Sequence, residues 1–375
     1  MTITSFFPPQ RTLMGPGPSD VSPRVLSALA RSTVGHLDPT FVGMMDEVKT
    51  LLQYAFQTKN TYTMAISAPG SAGMEACFVN LLSCDDTVVV CRNGVFGARM
   101  IENVQRVGAK LIIVEGEWGR AVDPQQLEDT LKRNPQANIV AFVHAETSTG
   151  ALSDAKTLCD IARQHNCLTI VDAVTSLGGV ELRVDDWGID AVYSGSQKCL
   201  SCVPGLSPVS FSDRAVEVIK QRKTPAQSWF LDQSLVMDYW SGQGKRSYHH
   251  TAPVNSLYAL HESLVILQNE GLEHSWQRHQ QMHKTLASGL NELGLNFIVP
   301  EQERLPQLNA VYIPSGIDDA FIRQALLNDY NLEIGAGLGA FAGKAWRIGL
   351  MGYAARNENV TLCLAALKET LSRGC

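Results

Sequence analysis

The sequence predicts an α/β protein with a mostly parallel, doubly wound sheet, followed by a smaller α+β part. Between residues 87 and 212, apolar runs of strand type alternate with helical stretches, as in sheets that are covered by helices on both faces. The runs are almost continuously apolar, which is typical of buried parallel strands. The chain has 375 residues, a length that suits two domains.

The first part of the chain predicts an extended arm and two helices. Residues 12–20 (TLMGPGPSD) are rich in Gly and Pro and cannot form a helix or a central strand. Ser22 is placed to cap a helix that has Pro23 in its first turn. Residues 46–58 (DEVKTLLQYAFQT) have the apolar spacing of a second helix.

The central part predicts the sheet, and the tail predicts shorter elements. The expected strands are TVVVC (87–91), KLIIVEG (110–116), NIVAFVHAE (138–146), LTIVDAV (168–174), DAVYSG (190–195) and LSPVSFS (206–212). Long amphipathic helices follow over 254–294. His279 and His283 lie four residues apart there, and we expect a solvated helix face rather than a metal site. The tail alternates short strands, beginning with LNFIV (295–299), with helices.

A lysine among small residues is the main chemical feature. Lys198 lies in SGSQKCLSCVPGLSP (194–208), just past a strand, and Asp172 ends the preceding apolar run. The carboxyl ends of parallel strands meet at one edge of a sheet, so we expect the amine and the carboxylate to lie there together. This pair suits pyridoxal phosphate (PLP), whose aldehyde needs an amine and whose ring nitrogen needs an acid partner. The alternative is an aspartate that caps a helix or turn.

A phosphate site is indicated by SAPGSAGMEACFVNLL (67–82), where a loop of small residues opens into an amphipathic helix. Free backbone N–H groups and the helix dipole hold phosphate at such a start. Gly70 and Ser71 are the expected contacts. The alternative is a plain helix start with Ser71 as its cap.

Three further features could complete the site. The segment HAETSTG (144–150) follows a strand and is dense in hydroxyl groups, which bond either a ring substituent or the loop itself. Phe96 follows another strand and either stacks on a flat cofactor or joins the core. Arg347 lies in an apolar run, where its donors suit either a substrate carboxylate or a structural salt bridge.

Composition argues against several classes of function. The formal net charge is −6 without a basic block, so we expect no nucleic-acid partner. No apolar run is long enough to span a bilayer, and the N-terminus lacks the pattern of a secretory signal. Nine scattered cysteines favour reduced thiols and a cytoplasmic location.

Two motifs suggest rival functions. GAGLGA (335–340) matches a dinucleotide-binding fingerprint, but a strand-like segment follows it and the expected acidic residue is missing. Cys199 and Cys202 form a CxxC without a second ligand pair or a thioredoxin-like context nearby. We therefore expect neither a nicotinamide dehydrogenase nor a redox or zinc site.

Four segments, taken in order, resemble one family over nearly the whole chain. GPGPS (15–19), SGSQK (194–198), RSYHHTAP (246–253) and GKAWRIGLMG (343–352) are similar to the class V aminotransferases, and most of all to the alanine–glyoxylate and serine–pyruvate aminotransferases. The combination is specific, although no single motif is.

The resemblance implies the PLP-dependent transferase fold type I. In this fold a mostly parallel, seven-stranded sheet flanked by helices is followed by a smaller α+β domain. The expected bounds are an N-terminal arm over 1–22, a large PLP-binding domain over 23–269 and a small C-terminal domain over 270–375.

The resemblance also implies the site residues. Lys198 should form the Schiff base with PLP, Asp172 should pair with the pyridine nitrogen, and Arg347 should bind the substrate carboxylate. The other implied cofactor contacts are Pro69, Gly70 and Ser71 in the phosphate loop, Gln197 beside the lysine, Phe96 and Val174 on the two ring faces, Thr147 at a ring-contacting position, and Tyr248 and Thr251 reaching the phosphate from a second subunit. A homodimer with shared active sites is therefore expected.

The implied activity moves an amino group from a small amino acid, alanine or serine, to glyoxylate or pyruvate. Other donors (3-hydroxykynurenine, ureidoglycine or pyridoxamine) and a PLP lyase remain alternatives. Relatives that use ureidoglycine carry amide side chains around the positions of His36 and Tyr248, and this chain has neither amide. Pro69 replaces a common serine and Phe96 a common tryptophan, which weakens the expected phosphate contacts and ring stacking.

Overall fold

The computed structural model describes residues 3–240 and 246–373. The helices are α1 (Pro23–Leu29), α2 (Pro39–Phe56), α3 (Gly70–Leu81), α4 (Val95–Val107), α5 (Pro124–Arg133), α6 (Ala155–Gln164), α7 (Val184–Trp187), α8 (Asp213–Lys220), α9 (Gln233–Trp240), α10 (Val254–Glu270), α11 (Leu272–Glu292), α12 (Asp319–Tyr330) and α13 (Asn357–Arg373). The strands are β1 (Thr12–Leu13), β2 (Tyr62–Ile66), β3 (Thr87–Arg92), β4 (Lys110–Glu115), β5 (Ile139–Val143), β6 (Ala145–Glu146), β7 (Ala151–Leu152), β8 (Leu168–Asp172), β9 (Ala191–Tyr193), β10 (Ser207–Phe211), β11 (Leu308–Tyr312), β12 (Leu332–Glu333), β13 (Gly335–Ala336) and β14 (Ala345–Gly349).

The central sheet has seven strands in the order β2-β10-β9-β8-β5-β3-β4. The pairs from β9 to β4 are parallel, whereas β10 runs antiparallel to both β9 and β2. Every residue of β5 and β8 is buried, which explains why these strands are almost purely apolar. The prediction of a mostly parallel, seven-stranded sheet is therefore confirmed.

Local signals explain where the first helices begin. Ser22 caps α1 by accepting a hydrogen bond from the Val25 N–H, as predicted. Helix α2 begins at Pro39, seven residues before the predicted start, because Asp38 caps it by accepting from the Thr40 N–H at 2.8 Å. The prediction missed this start because it rested on the apolar spacing from Asp46 onward and not on the Asp38–Pro39 capping signal.

A second, three-stranded antiparallel sheet, β11-β14-β13, lies in the C-terminal part. The arm joins this part, because β1 pairs with β12 and Met14 is fully buried in the C-terminal cluster, which is the set of buried apolar side chains between residues 286 and 367. The strand predicted at residues 295–299 is wrong, since only an isolated bridge joins Phe297 to Val311. The exact domain bounds stay a prediction.

The two histidines of α11 are buried, so the predicted solvated face is wrong. His279 Nε2 accepts from the Gly352 N–H at 2.9 Å, and His283 bonds the Asn309 amide at 2.6 Å. The two histidines therefore join α11 to the region of the C-terminal sheet by hydrogen bonds. Among the described residues, no group of three His, Cys, Asp or Glu side chains is placed to hold a metal ion, and no helix is both long and apolar enough to cross a membrane.

Candidate active site

The predicted residues gather at the carboxyl edge of the central sheet. Asp172 is the last residue of β8, and the loop after β9 carries Lys198. Loops after β2, β3 and β5 lead to Gly70, Phe96 and Thr147. Because parallel strands release their chains at the same edge, segments distant in sequence converge there.

Lys198 is only 9% exposed, and its amine donates a hydrogen bond to the Pro16 carbonyl of the arm. A Cβ added to Gly17 would lie 2.6 Å from the lysine Nζ, and Gly17 has a φ of +106°, so only glycine suits this close approach. Burial, with a smaller effect of the nearby Arg347 and Arg99, lowers the pKa of Lys198 to about 8, and Cys199 and Asp172 act in the opposite direction. A substantial neutral fraction of the amine is thus available near pH 8.

Asp172 is 2% exposed and accepts two hydrogen bonds. The Val174 N–H donates to Oδ1 at 2.8 Å, and the Tyr193 hydroxyl donates to Oδ2 at 2.8 Å. The pKa of Asp172 is raised to about 7, mainly by burial and to a smaller extent by Glu146, while the two hydrogen bonds and Lys198 oppose the rise. No helix begins beside Asp172, but its bond from the Val174 N–H caps the turn over residues 174–179, so the alternative of a turn cap also describes it.

The start of α3 forms an open cradle. Its N-cap is Pro69, which makes no side-chain capping bond, so the alternative of Ser71 as the cap is wrong. A Cβ on Gly70 would lie 3.3 Å from the Ser194 carbonyl and 3.4 Å from a Val174 methyl group. The uncapped N–H groups and the helix dipole can hold a phosphate. Gln197, whose Oε1 is buried without a hydrogen-bond partner, borders the Lys198 loop.

Phe96 is the second residue of α4 and is half-buried, with the Arg99 guanidinium 4.9 Å from its ring centroid. Thr147 is buried, and its hydroxyl forms a hydrogen bond with the Thr175 hydroxyl. The hydroxyl groups of Thr147 and Ser148 bond within the protein, and a bond from this loop to a ring substituent stays a prediction.

Glu146 is a further residue of the site that was not predicted from the sequence. It is fully buried. Its carboxylate accepts from the backbone N–H groups of Phe96, Gly97 and Ser148 and from the Ser148 hydroxyl. Burial raises its pKa, and these hydrogen bonds oppose the rise. The signal that could have found it is a lone carboxylate at the end of an apolar strand, because such a group suits a nearby helix N-terminus.

Arg347 lies in the middle of β14 and donates to the Ala336 carbonyl at 2.8 Å and to the Thr147 carbonyl at 3.1 Å. Within residues 3–240 and 246–373, no hydrogen bond joins its guanidinium to a carboxylate. Burial lowers its pKa to about 10, and Glu146 opposes this shift. A structural salt bridge is therefore not its role in this part of the chain, and a substrate carboxylate fits its free donors.

Tyr248 is 61% exposed, Thr251 is also exposed, and the Tyr248 ring lies 5.5 Å from the His36 ring between centroids. The segment that carries them is tied to the loop before Gly70, because His250 Nε2 forms a 2.7 Å hydrogen bond with the Ser67 hydroxyl. Two residues expected to act on another subunit thus face outward.

Taken together, the edge of the sheet offers a buried amine, a buried carboxylate, an open helix N-terminus and an unpaired guanidinium. These groups fit the aldehyde, the ring nitrogen and the phosphate of PLP, together with a substrate carboxylate. Cys199 and Cys202 are buried free thiols, which does not fit a redox pair that exchanges electrons at the surface.

Residues 24–360 match the family model for the class V aminotransferases. The chain belongs to this family. It is 40% identical to the alanine–glyoxylate aminotransferase of Rattus norvegicus, covering 97% of this chain and 88% of the relative. It is 38% identical to the (S)-ureidoglycine–glyoxylate transaminase of Bacillus subtilis, covering 97% and 91%.

The crystal structure of an alanine–glyoxylate aminotransferase from Nostoc sp. superposes with a TM-score of 0.96 at 43% identity and covers 99% of this chain and 98% of that one. This class V aminotransferase therefore has the PLP-dependent transferase fold, as predicted, and its cofactor is PLP. The dehydrogenase alternative is wrong: after Gly335–Ala336 the GAGLGA segment forms a short 3₁₀ turn, not the helix of a nucleotide-binding unit.

Proposed function

We propose that this aminotransferase moves an amino group from a small amino acid, alanine or serine, to glyoxylate or pyruvate. The observation that carries the proposal is the half-buried Arg347 guanidinium, which has free donors beside the Lys198 amine. Both substrates of such a reaction carry an α-carboxylate, and one arginine serves both because they bind in turn. The names of the relatives supply the substrate class.

In this proposal each group at the sheet edge has one task. Bound PLP supplies an electron sink for the charge that develops when the substrate α-proton leaves. The Lys198 amine first holds the cofactor and then takes and returns that proton. Asp172 keeps the ring nitrogen protonated. The proposed supporting contacts are Gly70, Ser71 and Gln197 at the phosphate, Pro69 at the loop before it, Phe96 and Val174 on the ring faces, and Thr147 at the ring edge.

The arm favours small substrates. Pro16 and Gly17 lie directly against the Lys198 amine. On that side they restrict the room for a substrate side chain beside the reacting nitrogen. A bulky donor such as 3-hydroxykynurenine would have to displace the arm. Relatives that use ureidoglycine carry amide side chains around the positions of His36 and Tyr248. Neither residue has an amide in this chain, which argues against ureidoglycine as the donor.

A panel of donors tests this proposal. Alanine, serine, (S)-ureidoglycine, 3-hydroxykynurenine and pyridoxamine are each assayed with glyoxylate and with pyruvate, and we expect alanine or serine with glyoxylate to give the highest kcat/KM. Arg347→Gln is the matched comparison and should raise KM about 10- to 100-fold for every carboxylate substrate, as expected for a lost charged hydrogen bond. A preference for ureidoglycine or pyridoxamine would assign the chain to that alternative instead.

We also propose a homodimer in which each active site receives Tyr248 and Thr251 of the other subunit. Exposed aromatic side chains support this: Tyr248 is 61% exposed, Trp229 63%, and Phe6 and Phe7 are each 85% exposed. Trp229 stacks on His249, the residue next to Tyr248, with 4.5 Å between the ring centroids, and adjoining exposed aromatic side chains of this kind are typical of a protein interface. A cytoplasmic location is proposed as well, in keeping with the free thiols.

Subunit complementation tests the shared sites. Mixing a Lys198→Arg subunit with a Tyr248→Ala, Thr251→Ala subunit should restore activity at limiting PLP, because half of the hybrid's sites then contain no substitution. The expected recovery approaches half the wild-type rate per hybrid dimer. If each subunit used only its own residues, every site of the hybrid would keep one defect, and the mixture would show no gain over the separate variants.

A further inference from the structure

Tyr193 stands directly beside Asp172 in the central sheet. The parallel strands β8 and β9 pair Asp172 with Tyr193, and both are the last residues of their strands. The Tyr193 hydroxyl donates to Asp172 Oδ2 at 2.8 Å. Neighbouring residues in such a ladder share one face of the sheet, so the register alone brings the phenol to the carboxylate.

The tyrosine cannot turn away from this contact. Its side chain is 0% exposed, and a Cβ added to Gly73 of α3 would lie 3.2 Å from the Tyr193 Cβ, so the helix packs closely onto it. Burial and the neighbouring Asp172 raise the pKa of Tyr193 well above its usual value. The hydroxyl therefore keeps its proton and serves as a donor at every pH at which the enzyme works.

Asp172 depends on such donors, because the hydrogen bonds from Val174 and Tyr193, together with the charge of Lys198, are what offset the loss of water around it. Burial raises its pKa to about 7, while the bonds from Val174 and Tyr193 lower it. The titratable groups that face it are Tyr193 on β9, Glu146 on β6, Cys77 on α3, and Lys198 on the loop after β9. Glu146 favours the protonated acid and Lys198 favours the carboxylate, and burial keeps the Cys77 thiol neutral. One hydrogen bond more or less can therefore change the charge of Asp172 near neutral pH.

We propose that Tyr193 is a positioning residue: its hydroxyl keeps Asp172 ionised and fixes the carboxylate in the orientation that holds a proton on the ring nitrogen of bound PLP. This rests on the role proposed above for Asp172. The Val174 N–H occupies Oδ1 and the hydroxyl occupies one side of Oδ2, so the carboxylate cannot rotate without breaking both bonds. Because the carboxylate is already fixed, it loses no further rotational freedom when the cofactor binds.

Tyr193→Phe tests the inference, because it deletes the hydroxyl and keeps the ring. The pKa of Asp172 should rise by about 1 to 2 pH units, as expected for one lost hydrogen bond to a charged group. In the holoenzyme with ¹⁵N-labelled PLP, the NMR signal of the ring nitrogen should move toward the unprotonated position near pH 7. The kcat should fall about 10- to 100-fold, while KM for the amino acid stays within about twofold, since Arg347 holds the substrate.

Tyr54→Phe is the matched control. Its hydroxyl accepts from the Leu272 N–H at 3.1 Å, away from the sheet edge, so the variant also loses one tyrosine hydrogen bond. It should leave the nitrogen signal and kcat unchanged. If Tyr193→Phe shifted thermal stability as Tyr54→Phe does but left the nitrogen signal in place, the hydroxyl would be a structural contact and the inference would be overturned.

A double-mutant cycle separates this inference from the role of Asp172. In an Asp172→Asn background, Tyr193→Phe should change the nitrogen signal no further, because the group through which it acts is gone. An unchanged signal in Asp172→Asn itself contradicts the proposed role of Asp172. A changed signal in Asp172→Asn together with an unchanged one in Tyr193→Phe contradicts only the part assigned to Tyr193.

Discussion

Lys198→Arg is expected to abolish transamination while leaving the fold intact. The variant keeps the positive charge, but a guanidinium stays protonated and is a poor nucleophile and base. The native amine differs in both respects, because burial and nearby arginines bring its pKa down to about 8. We expect kcat/KM for alanine and glyoxylate to fall by about 10⁴-fold or more, the upper end of what a general base contributes.

The measurement needs a control for the change of lysine to arginine. Lys220→Arg serves, since Lys220 is exposed at the end of α8 and lies over the Tyr62 ring. It should keep full activity. Intact mass after borohydride reduction of the holoenzyme should show one added cofactor per chain in the wild type and in Lys220→Arg, and none in Lys198→Arg. Turnover near the wild-type rate in Lys198→Arg would remove Lys198 from the chemistry.

The central sheet could be predicted from the sequence because its signals are local. Strands β5 and β8 are buried along their whole length, so their apolar runs stand out, and helix α1 is marked by its Ser22 cap. Strand β2 was missed. Three of the five residues in its run YTMAI (Tyr62, Thr63 and Ile66) favour strands, but the run is short and begins only a few residues after the end of α2.

The sequence allowed those residues of the site to be predicted whose chemical type and immediate neighbours are informative by themselves. Lys198, Asp172 and Arg347 were found because each is a charged residue in an apolar or small-residue stretch. Tyr193 was not found because it looks like part of a strand, and Glu146 was not found although, like Asp172, it is a carboxylate at the end of an apolar run. Their importance depends on which strand lies next to which, and that order is set by packing across the whole sheet rather than by neighbours in the sequence.

The contact between the arm and the lysine could not be predicted for the same reason. The Gly–Pro segment showed that the arm is extended, but nothing in it shows what it packs against. In the structure Met14 is buried in the C-terminal cluster and Pro16 reaches the Lys198 amine. A segment about 180 positions away in the chain therefore borders the reacting nitrogen. Long-range contacts of this kind set the shape of the substrate pocket.

Asp172→Asn is expected to bind PLP and to remove the α-proton of the substrate slowly. The amide is nearly the same size as the carboxylate but carries no negative charge, so it cannot hold a proton on the ring nitrogen. The electron sink is then weaker when the proton leaves. We expect the single-turnover rate with alanine to fall about 10²- to 10³-fold, similar to the loss of one preorganised electrostatic group in other enzymes. Deuterium at the α-carbon should then give a full primary kinetic isotope effect, because proton removal limits the rate.

Asp190→Asn is the matched control for the loss of a buried carboxylate. Asp190 is 3% exposed and accepts from the Thr169 N–H at 3.1 Å, next to the start of β8 rather than its end. It is therefore separated from the ring nitrogen by the length of the strand. Its substitution should lower stability but leave the single-turnover rate unchanged. Equal rates in wild type and Asp172→Asn, with PLP bound in both, would mean that the ring nitrogen needs no acid partner here, and the carboxylate would then have to be explained by the packing of β8 against β9 alone.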